Sequence, residues 1–329
     1  MVTPEPADAP GLRGYLNRGG LPALLLVLVV YLVFYLGAGW IVSKLGGQFD
    51  DDDLLTSTES VFFQLTISLI VGAIVLVAFS AVMGWNREMF GRQPVYRSWW
   101  MWIAPLVVLT PIVMRVFGIE WGRRGVDVVA LVMVSGLLIG FVEELLTRGI
   151  GVKMLRDAGH GEWAVAALSS LVFALLHSIN LLSGQALTTV ALTVVYAFAF
   201  GVLMYLTLRV TGFLVGAIVL HGLTDPTTIL AVGGIDKLQD GHPNDMIAAA
   251  GVFTFALIAI GFVLLIFVRG RVSARPAGYI TPEACSPGRS RTYVANPDSK
   301  SGGPCRQTNR GLTSCVPTEG VLRLPVTSA

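Results

Sequence analysis

Side chains able to carry protons lie inside stretches otherwise built of Val, Leu, Ala, Phe and Gly. In Gly140-Phe141-Val142-Glu143-Glu144-Leu145-Leu146-Thr147-Arg148 two carboxylates adjoin at the end of an apolar run that starts at Val126 and holds one earlier charge, Asp127. An acidic side chain at membrane depth costs roughly 2.5–3.5 kcal/mol on insertion scales, so a pair implies compensating partners. On a helix, Glu144 and Arg148 are four apart and share a face, in the favourable acid-before-base order. Glu143 projects about 100° away, on the side of Thr147. Arg148 therefore compensates Glu144 and leaves Glu143 with less. Two neighbouring carboxyls in diverging environments suit one structural and one acid/base role. The bland reading is a salt-bridged helix end at the cytoplasmic interface.

Two further constellations follow in the chain. In Phe173-Ala174-Leu175-Leu176-His177 the histidine comes late in an apolar run, with Phe173 one turn earlier on the same face. A lone histidine in such a run is more often hydrogen-bonded packing than a ligand. In His221-Gly222-Leu223-Thr224-Asp225-Pro226 the histidine and aspartate share a face, so Asp225 can orient the imidazole or lend its own oxygen to a site. Pro226 lacks an N–H and disfavours α geometry at Asp225, which predicts a kink or break. A helix end with an Asp-Pro turn would explain Asp225 and Pro226 but not His221. His160 and His242 fall in loops and read as solvated. Glutamate, two histidines and an aspartate converging in a bundle make a site for activating water.

The elements that must position these groups are membrane helices. The chain has 329 residues, 54% hydrophobic and only 13% charged, with a mean hydropathy of +0.71. A soluble domain carries about 25% charged residues, so the composition specifies an all-α, polytopic membrane bundle. A span needs about 20 apolar residues. About eight are predicted, near 21–43, 61–84, 100–118, 126–147, 162–182, 186–208, 212–232 and 247–268. The fourth could run on through Gly151 to Leu155 as a cytoplasmic extension. The apolar run from Leu21 to Trp40 reads as the first span, not as a cleaved signal. Basic residues cluster before the first span and after the second, fourth, sixth and eighth. The acidic run Asp50 to Asp53 lies on the other side. The bias puts both termini in the cytoplasm of a multi-pass cell-membrane protein. No basic stripe with interleaved aromatics suggests nucleic acid.

The organisation expected is a cytoplasmic segment over 1–20, membrane helices over 21–125, a core carrying the polar constellations over 126–232, a loop and last helix over 233–275, and a disordered cytoplasmic tail over 276–329. Cys285, Cys305 and Cys315 all fall in the tail, match no zinc module and receive no role. No internal repeat is visible, which argues mildly against an inverted-repeat transporter.

The three constellations, in this order, resemble the motifs of the CPBP family of intramembrane proteases, which includes the CAAX prenyl endopeptidases and bacterial Abi proteins. The pattern E-E-x-x-x-R is met by Glu143, Glu144 and Arg148, F-x-x-x-H by Phe173 and His177, and H-x-x-x-N/D by His221 and Asp225. The resemblance covers about 126–232. The third motif ends in Asp225, where the eukaryotic prenyl endopeptidases carry Asn, and this weakens transfer of a prenylated substrate. The resemblance implies an endopeptidase acting on a membrane-associated or lipidated protein or peptide. Glu143 would take a proton from water with His177 beside it, and His221 and Asp225 would stabilise the oxyanion. Glu144 and Arg148 would hold the architecture. Metal is the alternative within this reading: His177, His221 and a carboxylate form the ligand set of a catalytic zinc site, although the sequence contains no H-E-x-x-H. Outside it stand a proton-coupled transporter that uses the same residues as a relay, and a catalytically silent membrane scaffold. The helix depths agree best if the fourth and fifth helices protrude into the cytoplasm, with a water-filled cavity opening to that side.

Overall fold

The computed structural model describes residues 11–47, 53–95, 97–182, 184–234 and 244–272. The cysteines, the 276–329 tail, His242 and Asp50 to Asp52 lie outside the described residues.

Eight helices among the described residues are long and apolar enough to cross a membrane: α1 Leu21–Gly46, α2 Thr58–Met83, α3 Trp99–Gly118, α4 Val126–Asp157, α5 Glu162–Leu181, α6 Leu187–Thr211, α7 Leu214–Val232 and α8 Asp245–Ile266. No strand forms among them beyond one isolated bridge between Gly161 and Arg271. The all-α, polytopic expectation therefore holds, and each span lies close to its expected place. Lipid satisfies no backbone group, so every spanning segment must close its own hydrogen bonds, and helices do this. Apolar side chains such as Val33, Val252 and Phe255 remain on the outside, where a hydrocarbon solvent accepts them.

Helix α6 is the bundle axis, with every residue from Ala199 to Val210 buried. The most extensive pairing is α4 with α7, and glycines set its closeness. A Cβ on Gly140 would lie 2.4 Å from the Gly222 nitrogen and 2.6 Å from the Ile218 carbonyl oxygen. A Cβ on Gly136 would lie 2.3 Å from Cδ of Pro226. Gly136-x-x-x-Gly140 is thus a small-residue seam of the kind that lets membrane helices touch backbone to backbone. It lies one turn before Glu143 and Glu144 and faces the turns that carry His221 and Asp225.

Two expectations about helix ends are corrected or extended here. Helix α7 does not break at Pro226; it runs unbroken through the proline to Val232. The proline ring fits against the bare face of Gly136, so the α4–α7 packing accommodates it without a break. Helix α4 does run on past Thr147, to Asp157. Its 32 residues rise about 48 Å at 1.5 Å each, well beyond a hydrocarbon core of about 30 Å. Just after the glutamate pair, Leu145–Gly151 widens into a π-helical stretch, a distortion often found at functional sites.

A buried polar network braces the end of the bundle where α4 meets α5. Arg156 holds Glu162 through Nε at 2.9 Å and Nη2 at 2.8 Å, and Nη1 donates to Gln93 at 2.6 Å. The Tyr205 hydroxyl from α6 donates to the same carboxylate. The Glu162 amide donates to the carbonyl of Gly270, just past α8. Bidentate, fully partnered charges can persist in a buried setting, and breaking them is costly.

Candidate active site

Glu144 is completely buried and Arg148 is 2% exposed. Arg148 Nη1 donates to Glu144 Oε1 at 3.0 Å, as the helical spacing predicts. It also donates to Thr147 Oγ1 at 2.6 Å, while that hydroxyl donates back to the Glu143 carbonyl at 2.6 Å. Thr147 thus serves Arg148 and the backbone and not the Glu143 carboxylate, because a threonine one turn on closes most easily onto the i−4 carbonyl. The Arg148 guanidinium also lies 4.5 Å from the Phe173 ring centroid. This cation–π contact gives the phenylalanine of the second motif a physical reason.

The same Glu144 oxygen lies 2.8 Å from His221 Nδ1. A carboxylate held by an arginine only accepts, so Nδ1 carries the proton and donates. The bond fixes the ring and turns Nε2 towards the other two carboxylates. His221 Nε2 stands 3.6 Å from Glu143 Oε2 and 3.4 Å from Asp225 Oδ2. Glu143 and Asp225 keep side-chain exposures of 29% each, while Glu144 has none. The division between a sealed and an accessible glutamate is therefore built into the fold. Phe173 and Phe200 flank the imidazole edge-on, at 5.6 and 4.9 Å between centroids.

His177 is held by its own helix. Its Nδ1 lies 3.1 Å from the Phe173 carbonyl oxygen; a carbonyl accepts, so Nδ1 donates. No hydrogen bond or ion pair joins His177 to Glu143 among the described residues. The two face a common space instead. At His177 the α5 helix tightens into a 3₁₀ stretch, His177–Leu181.

That space is a cavity of about 280 Å³ lined by Glu143, His177, His221 and Asp225 together with residues of α1 and α2. The lining nearest to helix ends is Ile179 and Asn180 on α5 and Gly234 beyond α7. The cavity therefore reaches the end of the bundle where α5 and α7 finish. The Arg156–Glu162 network lies at the opposite end, where α4 finishes and α5 starts.

The metal alternative can be tested on the donors. Among the described residues no group of three or more His, Cys, Asp and Glu side chains is disposed to hold a metal ion. His221 Nδ1 is committed to Glu144 and His177 Nδ1 to the Phe173 carbonyl. The ligand set does not fit as arranged, and no step below runs through a metal.

The fold defines a multi-pass helical membrane protein with Glu143, His177, His221 and Asp225 lining one cavity in its bundle. Residues 125–227 match the family model Rce1-like, described as type II CAAX prenyl endopeptidase Rce1-like. Over this segment the chain is similar to the CPBP, or CAAX protease, family. A search of curated proteins found no match.

The seam glycines Gly136 and Gly140 and the Glu144–His221 bond were missed from sequence. A small-x-x-x-small pattern was present to signal the first. Nothing local signals the second, because it joins residues 77 positions apart.

Proposed function

We propose that the chain hydrolyses a peptide bond of a membrane-associated or lipidated protein or peptide, with Glu143 as general base. The observation that carries this reading is the unequal treatment of two adjacent carboxylates. Glu144 is sealed between Arg148 and His221, while Glu143 faces the cavity with no cation of its own nearer than His221 Nε2. A water between Glu143 and His177 gives its proton to the Glu143 carboxylate as its oxygen adds to the scissile carbonyl carbon. The carbonyl π pair moves onto oxygen, and His221, steadied by Glu144 and Asp225, stabilises that charge. Protonated Glu143 then returns the proton to the departing amine, and the C–N bond breaks. The apolar lining excludes competing water and suits an extended peptide or lipid-bearing chain.

The test is a peptide library presented to detergent-purified full-length protein, with cleavage products mapped by mass spectrometry. The proposal expects a single preferred scissile position, lost in Glu143→Gln. A folded wild type that cleaves nothing, but moves protons across proteoliposome membranes in a pH-dependent way, would put the relay reading in its place.

A further inference from the structure

The wall of the cavity furthest in sequence from the family region is built by α1. Tyr31 and Tyr35 are one turn apart there and stack with centroids 5.8 Å apart and planes at 24°. Both line the cavity that holds Glu143 and His221. Helix α2 is cut away to seat them. A Cβ on Gly72 would lie 2.9 Å from the Tyr31 hydroxyl and 3.5 Å from Cδ2 of Tyr35. Gly72 lies inside regular helix, so room and not backbone freedom is what glycine supplies.

Neither phenol makes a hydrogen bond among the described residues, and neither belongs to those with further contacts. Neither hydroxyl is sealed from the cavity, so each is free to donate to a group that enters it. The Tyr31 hydroxyl points at Gly72. Tyr35 is the more exposed of the two.

We propose that Tyr35 is a further catalytic residue, a neutral O–H donor to the oxyanion formed at the scissile carbonyl, and that Tyr31 positions its ring. The claim rests on the hydrolase reading above and deepens it, since α1 lies outside the 125–227 family match. When the water oxygen adds and its proton passes to Glu143, the carbonyl electron pair becomes an oxyanion. The Tyr35 hydroxyl donates a hydrogen bond to it and keeps its own proton throughout. A neutral donor suits a site that already holds three carboxylates, because it adds no charge to be solvated.

The experiment measures kcat and KM on a peptide cleaved by the wild type, for full-length Tyr35→Phe, Tyr31→Leu, Tyr31→Phe and Glu143→Gln. Tyr35→Phe keeps the stack and removes only the O–H. Loss of one oxyanion donor lowers kcat by about 10²-fold, with KM within about threefold because the contact forms only in the transition state. Tyr31→Leu lowers kcat by about tenfold, as a misplaced donor does, and Tyr31→Phe restores it. If Glu143→Gln is silent and Tyr35→Phe keeps the wild-type kcat, or loses only through KM, this proposal alone is overturned. If Glu143→Gln cleaves at the wild-type rate, the hydrolase reading fails and this proposal falls with it.

Discussion

The α4–α7 seam gives the sharpest quantitative test of how the site is held. In Gly140→Ala the new methyl would lie 2.4 Å from the Gly222 nitrogen, 2.6 Å from the Ile218 oxygen and 2.7 Å from the Gly222 Cα. All three are backbone atoms of a continuous helix, so no side chain can swing aside. Ordinary contact begins near 3.4 Å, and relieving the clash therefore moves α7 away from α4 by roughly 1 Å, a displacement that elsewhere costs about 10²-fold in rate. The move stretches the His221 contacts with Glu144 and Glu143 at once, because both glutamates ride on α4 and the histidine on α7. Gly140→Ala should therefore lower kcat by about 10²-fold while the protein still inserts and purifies. The assay is steady-state cleavage, with circular dichroism to verify retained helix. Gly151→Ala is the matched control, since its Cβ meets nothing nearer than 3.4 Å. A Gly140→Ala enzyme that cleaves like that control would refute the claim that the seam sets the catalytic geometry.

Further outcomes follow from the buried pair and from the donor set. Arg148→Met strands Glu144 without its cation and should destabilise the protein by about 3–5 kcal/mol in detergent unfolding titrations. Adding Glu144→Gln should recover part of that loss, and strictly additive effects would contradict the pairing. Extended chelation of the purified protein should leave cleavage intact. Loss on chelation with recovery on added zinc would instead place a metal at His177 and His221.

The spans and the three motifs were legible because each is local. Insertion energy is a sum along the chain, and residues four apart on a helix share a face whatever the bundle does. Glu144 with Arg148 and His221 with Asp225 therefore came through intact. What depended on helix pairing did not. The break expected at Pro226 fails because Gly136 on another helix receives the ring. The spacing within α5 accounts for the His177 bond to the Phe173 carbonyl but says nothing of the distance to α4. The course of the cavity towards the ends of α5 and α7 depended on pairing too, and the Arg156–Glu162 brace joins groups that look like loop charges in sequence. Tyr31 and Tyr35 gave no signal at all: two aromatics in an apolar run read as lipid-facing or core residues until α2 is set against them.

The central claim is that Glu143 performs the proton transfer, and Glu143→Gln tests it most directly. Single-turnover cleavage should fall by about 10³-fold or more, within the range a general base supplies, while the uncleaved peptide still binds with an affinity near that of the wild type. A folded Glu143→Gln protein that binds the peptide and cleaves it at the wild-type rate would contradict the account.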